Sequence, residues 1–452
     1  REDVIEKTDI GGPTMIRSAA KGGRIAVCDI TDREKVIEWL RGGEQNKEEF
    51  LSNLYAKAEA IISHYTAVSS EYHSKGGYKG ISGESVLECS YGENAYQKPA
   101  RLYKTNADPL ALPNWQLVAG NPMSYNNLCD IDRMIQTVTH IGAGFEKIFN
   151  EVPFVAIGVK HGNACGASFA ESAIEAVDGM LQGDLRAIFG GSVMLNYKVD
   201  EKIAEELIHK YVSDGRRLLD IVAAPAFTPE AIEILARKKG KCRILVNPNI
   251  EKAGVDSLDM AKRFRYVRGG FMEQPNYTFL PSIALAKEGV SEAVMQDVIL
   301  AWAVGCTSNS NTVTIVKDGR LVGNGVGQQD RVGAAKLAIF RADDAAEFGR
   351  EAQQKNSLAF LHPSGNSRDG TFRVENSSVA PLLQANLEGA VAYSDSFFPF
   401  PDAPEVLIGR GIKTIFSTSG SVNDDKIVEL CKNKDVELIL MPDKEARGFY
   451  QH

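Results

Sequence analysis

Residues 154–170 read FVAIGVKHGNACGASFA. Phe154 to Val159 form an almost unbroken apolar run, the pattern of a strand covered on both faces. The run stops at Lys160 and His161, and Gly162, Asn163, Ala164, Cys165 and Gly166 read as a loop. Ligands of α/β folds bind in crevices outside the carboxyl ends of strands. A lysine and a histidine at such an end therefore mark a candidate site.

The same alternation continues on either side of this stretch. "SFAESAIEAVDGMLQG" reads as a helix, "RAIFGGSVML" as a strand with a Gly-Gly interruption, and "EKIAEELIHKYV" as a helix. "LLDIVAAPAF" is a strand ending at Pro225. "TPEAIEILARKKG" is a helix with Thr228 as N-cap and Pro229 at its first position. "CRILVNPN" is a further strand. Upstream, "GGPTMIRSAAKGG", "DREKVIEWLRGG" and the long amphipathic "NKEEFLSNLYAKAEAIISHYTAVSSEYHS" read as helices, and "RIAVCDI" as a short buried strand. The Gly-rich "HSKGGYKGISGES" marks a domain boundary. A third region starts near Arg263. It holds the helix "VSEAVMQDVILAWAVGCTS" and the hairpin "TVTIVKDGRLVGNGVG", which turns on Asp318-Gly319. The helical "DRVGAAKLAIFRADDAAEF" follows, then a looped insertion at 352–376 and the strands "AVAYSD", "TIFST" and "ELILM". No residue repeat or low-complexity tract is present. The pattern is α/β, two layers of similar build, each with a mixed sheet.

Composition fits a globular chain of two or three domains: 452 residues, 44% hydrophobic and 24% charged. The net charge of -8 argues against a nucleic-acid surface. Seven cysteines without a C-x-x-C pair argue against a disulfide framework. No apolar run is long enough to span a membrane, and no signal peptide is evident. The chain opens on Arg1 as though an element were already under way, so an upstream portion is expected.

Three stretches carry chemistry. His161 can act as a general base, and Lys160 can stabilise a developing oxyanion. A solvated surface pair and a Schiff-base lysine are the other readings of these two residues. A zinc deaminase signature is missing, because no glutamate stands at the needed offset from His161 and Cys165 has no cysteine partner. In "CTSNSNTVTIVKDGRLVGNGVGQQDR", the polar run Thr307 to Asn311 either satisfies a helix end or presents amides to a substrate. Gly323, Gly325 and Gly327 allow close approach of a backbone or a flat ligand. "YSDSFFPFPD" is either a core-closing turn or an apolar slot for a heterocycle, with Asp395 and Asp402 nearby.

Taken together, "DIGGPTMIRSAAK", "SYGENAYQKPARLY", "NNLCD", "VKHGNACG", "FGGSVMLN", "APAFTPEAIEIL", "SNTV", "GNGVGQQDR" and "SDSFFPFPD" resemble the AICAR transformylase/IMP cyclohydrolase family of purine biosynthesis, in the family's order. AICAR is aminoimidazole carboxamide ribonucleotide. The resemblance implies two cytidine-deaminase-like subdomains at 81–262 and 263–452, without catalytic zinc. They would follow the C-terminal part of a methylglyoxal-synthase-like cyclohydrolase domain at 1–80. It implies formyl transfer from 10-formyltetrahydrofolate to the 5-amino group of AICAR. His161 would be the proton acceptor, Lys160 the oxyanion stabiliser and Asn311 the formyl-positioning amide. Asp395, Arg331 and Phe397 would lie at the folate. Tyr91, Asn127, Gly190, Asp220, Arg447 and His452 would lie around the nucleotide. Asp9 and Lys21 match the cyclohydrolase centre. A cytoplasmic homodimer with sites between subunits is implied, as is a structural potassium ion in some members.

The sequence departs from the family pattern at four places. Ser90 replaces the arginine expected to clamp the substrate phosphate, and Lys98, Arg101 and Lys104 are the nearby cations. Tyr96 replaces a histidine, Pro401 replaces an arginine, and His452 lies one residue further out than the family's terminal histidine. Without the upstream segment, cyclohydrolase activity is not expected of the chain as given.

Overall fold

The computed structural model describes residues 2–212, 215–282, 290–355 and 384–452. Residues 1–87 with 102–106 form one compact unit, and 88–101 with 107–452 form the other.

The first unit is built on helices α1 (Glu2–Lys7), α2 (Gly11–Lys21), α3 (Asp32–Arg41) and α4 (Lys47–Ser74). Glycine pairs end two of them: Gly22-Gly23 after α2 and Gly42-Gly43 after α3, with φ +66° at Gly23 and +80° at Gly43. The stretch expected as a strand, "RIAVCDI", is not one. Ala26 and Cys28 pack with Ala20 and Ala58 in a small core. No strand of this unit's described residues pairs with them, and an apolar run without a hydrogen-bonding partner cannot form a ladder. Strands β1 (Glu84–Cys89) and β2 (Ala100–Lys104) form a separate ribbon.

In the second unit come β3 (Gln116–Ala119), α5 (Tyr125–Phe149), β4 (Phe154–Lys160), β5 (Asn163–Ala170), α6 (Ala173–Leu181), β6 (Gly191–Leu195), α7 (Glu201–His209), β7 (Leu219–Ala224), α8 (Pro229–Leu235) and β8 (Arg243–Val246). A ribbon of β9 (Lys262–Val267) and β10 (Gly270–Pro275) follows. Next are α9 (Glu292–Cys306), β11 (Val313–Lys317), β12 (Arg320–Gly325), α10 (Arg331–Lys355), β13 (Val391–Ser394), α11 (Asp402–Ile408), β14 (Thr414–Ser419), α12 (Asp424–Asn433), β15 (Glu437–Pro442) and α13 (Asp443–Ala446). Residues 352–355 are thus helical rather than looped. The rest of the expected insertion, 356–376, lies outside the described residues.

One mixed sheet of eleven strands runs β15-β14-β13-β11-β12-β5-β4-β6-β7-β8-β3. Its two halves repeat one topology. Each has an antiparallel hairpin (β4–β5, β11–β12), an antiparallel neighbour to the hairpin's first strand (β6, β13) and two further parallel strands. No residue repeat marks this duplication. The halves join where Arg320 of β12 pairs with Ser168 of β5.

Side-chain alternation sets the layers. Val193 and Leu195 of β6 enter a core shared with α6, α7 and α8. Ser192, next to Val193 and therefore on the other face, bonds Asp130 of α5, so α5 covers the opposite face. Helix α9 is buried from Val298 to Cys306 and packs against α5, whose Gly144 leaves room for Ile299 and Trp302. The glycines of β12 serve the same end. A Cβ on Gly323 would lie 2.3 Å from the Ala338 carbonyl, and one on Gly325 2.1 Å from that of Ala334, so they admit the α10 backbone and not a flat ligand.

Candidate active site

The expected loop after His161 is instead a tight turn. Lys160 pairs with Asn163, and the two residues between them, His161 and Gly162, have φ +53° and +71°. Positive φ at both central positions defines the I′ hairpin. The chain therefore continues as β5 up to Ala170, and α6 starts only at Ala173, behind the Ser172 N-cap. Similarly, β6 starts at Gly191 rather than at Arg186, after Gly190 with φ +75°.

This turn projects the two residues into open space. Lys160 and His161 both line a cleft of about 310 Å³, with Asn163, Asp184, Asn324 and Arg341. His161 also borders a second cleft of about 410 Å³, shared with Glu93, Asp130, Arg133, Asn309 and Tyr450. The Lys160 ammonium donates to the Phe189 carbonyl at 2.9 Å, which fixes it next to Gly190. A Cβ built on Gly190 would meet no atom within 4 Å, so open space lies beside the lysine. Burial pushes the Cys165 thiol up to about 12, so it stays protonated and is no nucleophile at neutral pH.

Asp130, three residues beyond Asn127, carries no site signal in the sequence alone. Its Oδ1 accepts the Gly162 N–H at 2.8 Å, and its Oδ2 accepts the Ser192 hydroxyl at 3.2 Å. Burial raises this carboxyl above its ordinary value, while those two hydrogen bonds and the nearby His161 oppose the rise. Asp220 acts on Asp130 as a like charge and is itself held by Arg237 at 2.7 Å. Asn127 closes a capping box with Ser124 at the start of α5. The Tyr91 carbonyl accepts the N–H of Tyr125, which lines the larger cleft.

The polar run after α9 does two jobs. Thr307 and Ser308 return their hydroxyls to the carbonyls of Ala303 and Val304, closing the helix end. Asn309 faces the cleft and accepts from Arg133 at 3.0 Å. Asn311 donates its side-chain amide to the Gln328 carbonyl at 2.9 Å. The C-terminal tail lies along this run, with the Tyr450 N–H on the Ser308 carbonyl and the Ser310 N–H on that of Gln451. The Tyr450 ring is sandwiched between the guanidinium groups of Arg133 and Arg263, at 3.9 and 3.8 Å from its centre, and its hydroxyl donates to Asp132.

Other expected site residues lie apart from these clefts. Asp395 is fully buried and ion-paired to Arg331. Arg447 pairs with Asp443 at 2.6 Å and lies over the Phe397 ring. Within the aromatic turn Phe398 enters the core, while Phe400 and Asp402 face outward. His452 is exposed, its carbonyl accepting from Arg265. Ser90 bonds the Met123 carbonyl, and neither Lys98, Arg101 nor Lys104 lines either cleft; the arginine at the larger one is Arg133. In the first unit, Asp9 accepts the Gly12 N–H and lines a cleft with Arg17, Glu59 and Tyr65. Among the described residues, no group of three or more His, Cys, Asp or Glu side chains is placed to hold a metal ion, and no helix is long and apolar enough to cross a membrane.

The duplicated mixed α/β unit carries a lysine–histidine pair on a hairpin turn, open to polar clefts at a strand end, the place where α/β folds take ligands. Comparison with known proteins gives the family. A family model described as AICARFT/IMPCHase bienzyme matches residues 20–341. The bifunctional purine biosynthesis protein PurH of Macrococcus caseolyticus is 31% identical over 444 residues, covering 97% of this chain and 75% of that protein. PurH proteins of Anoxybacillus flavithermus and Clostridium botulinum (strain Langeland) are 30% and 29% identical, with the same coverage. The chain belongs to the AICARFT/IMPCHase bienzyme family.

Proposed function

We propose that the chain is an AICAR transformylase, transferring the formyl group of 10-formyltetrahydrofolate to the 5-amino group of AICAR. The observation that carries this reading is the Lys160–His161 pair on the β4–β5 turn, open to both clefts. The amine nitrogen attacks the formyl carbon, and its proton passes to His161. The Lys160 ammonium stabilises the oxyanion of the tetrahedral intermediate. The C–N10 bond then breaks, N10 takes a proton, and tetrahydrofolate leaves. Asn311 positions the formyl group from the polar run. Tyr91, Asn127, Gly190 and Asp220 surround the nucleotide; Arg447 and His452 are assigned to it by family resemblance alone.

Phe397 supplies an apolar wall for the pterin. Asp395 and Arg331, which the resemblance also puts at the folate, are ion-paired to each other. The repeated topology, with β3–β8 in one half and β11–β15 in the other, supports a subdomain division at 262. The division at 80 leaves Asp9 and Lys21 to the family's second activity, IMP cyclohydrolase. A cytoplasmic homodimer with sites between subunits, and a structural potassium ion, complete the reading from family resemblance. Incubation of the purified chain with AICAR and 10-formyltetrahydrofolate should release tetrahydrofolate and formylated AICAR in equal amounts. Saturable binding of both substrates without product would point to an inactive relative, and no folate binding to a different formyl donor.

A further inference from the structure

Both hairpins of the sheet turn on two residues of positive φ, and each turn is pinned by an aspartate from the helix before it. In the second half Asp297 of α9 accepts the N–H of Asp318 at 3.0 Å and that of Gly319 at 2.8 Å. In the first half Asp130 of α5 accepts the Gly162 N–H at 2.8 Å, but its other oxygen reaches across to the Ser192 hydroxyl at the start of β6. The two uses differ in consequence. The Asp318–Gly319 turn bears no residue of the proposed chemistry. The first turn bears His161, and the segment just before Ser192 supplies the Phe189 carbonyl that holds Lys160.

His161 has φ +53°, a region that costs a residue with a Cβ about 1–3 kcal/mol and persists only where its surroundings fix it. Of that turn's two residues, Gly162 gives its N–H to Asp130, and no backbone ladder bond holds it. The Asp130 carboxylate thus ties together three elements: α5, the turn, and the 189–192 segment that receives the lysine.

We infer that Asp130 is a positioning residue for the Lys160–His161 pair, fixing the turn so that the imidazole and the ammonium keep one mutual geometry. The inference rests on the transformylase reading above. An asparagine at 130 keeps an oxygen for the Gly162 N–H, whereas an alanine leaves that N–H and the Ser192 hydroxyl without their partner.

The test compares Asp130→Ala, Asp130→Asn and Asp297→Ala in the full chain, by steady-state formylation of AICAR and by thermal unfolding. Asp130→Ala should lose about 100-fold in kcat with KM for AICAR changed less than about threefold, as expected for a misplaced catalytic group. Asp130→Asn should recover to within about fivefold of the parent, and Asp297→Ala should lower Tm while leaving kcat within about twofold. Should Asp130→Ala fail to fold, Ser192→Ala removes half of the same support and should lower kcat in the same direction. Full activity in Asp130→Ala or in a substituting Ser192→Ala, or equal kcat losses in Asp130→Ala and Asp297→Ala, would overturn the inference. NMR of chain labelled with carbon-13 histidine, with His161 assigned through His161→Ala, reads the turn without turnover. The His161 signal should move or broaden in Asp130→Ala and stay in place in Asp297→Ala. An unmoved signal overturns the positioning role. A parent with no turnover contradicts the transformylase reading alone, and the signal still decides the role of Asp130.

Discussion

Replacing Arg331 by methionine should destabilise the second unit severely, in a pH-dependent way. The Arg331 guanidinium is almost fully buried and donates to Asp395, which is itself 0% exposed. What else holds that carboxyl is the Thr312 N–H at 3.2 Å and the Ser310 hydroxyl. Burial pushes the Asp395 carboxyl above its ordinary value even with Arg331 opposing it. Removing the cation leaves a buried charge without its counter-ion, a change that costs about 3–5 kcal/mol. A carboxyl raised by folding adds stability below its unfolded pKa and loses it as pH rises through the folded value. The penalty of Arg331→Met should therefore be largest near pH 8 and shrink as the pH is lowered and Asp395 takes up a proton. Urea unfolding followed by tryptophan fluorescence, to which the buried Trp115 and Trp302 of this unit contribute, reads the penalty at each pH. The double variant Arg331→Met with Asp395→Asn should regain most of the loss, because it removes the charge together with its partner. A penalty below about 1 kcal/mol at pH 8, or one that does not shrink as the pH is lowered, would show that Asp395 does not depend on Arg331 as its counter-ion. An Asp395→Asn variant of unchanged stability but raised KM for folate would show instead a carboxylate that serves the ligand.

Three further outcomes follow from the same geometry. Gly325→Ala places a Cβ 2.1 Å from the Ala334 carbonyl and should cost about 1–3 kcal/mol in urea unfolding, by forcing α10 off the sheet. Burial pushes the Asp297 carboxyl up to about 6, so it contributes stability below its ordinary 3.8 that is lost as pH rises through 6. The stability of the parent relative to Asp297→Asn should fall by up to about 3 kcal/mol between pH 4 and 7, and a flat difference would contradict this. Lys160→Met keeps the apolar stem but removes the ammonium; kcat for formylation should fall about 100- to 1,000-fold with Tm nearly unchanged.

Much of this architecture is legible in the residues. The apolar run 154–159 and the Asp318-Gly319 dipeptide carry strong local signals, and both elements form where those signals put them. His161-Gly162 is the same kind of turn, but histidine is an uncommon first residue for it, and the small residues of 163–167 carry no strand pattern. The hairpin therefore reads as a loop. "RIAVCDI" has the composition of a strand, and composition cannot supply the neighbour that a ladder needs. The duplicated sheet leaves no residue repeat because each half fills its core with different side chains around the same element order. Within the site, Lys160 and His161 stand together in sequence and in space. Asp130 reaches their turn from 32 residues before Gly162, and Tyr450 meets Asp132 across 318 residues, contacts that only the folded chain creates. Asp395 beside three phenylalanines suggested a ligand-facing carboxylate; its pairing with Arg331 is visible only once the sheet has brought β13 and α10 together.

The most direct measurement is the rate of AICAR formylation by the purified chain and by His161→Ala, followed as tetrahydrofolate appears from 10-formyltetrahydrofolate. The expected result is turnover in the parent and a loss of about 100- to 10,000-fold in kcat in the variant, with the fold intact by circular dichroism. A folded parent with no turnover, or a His161→Ala chain that formylates AICAR as fast as the parent, would contradict it.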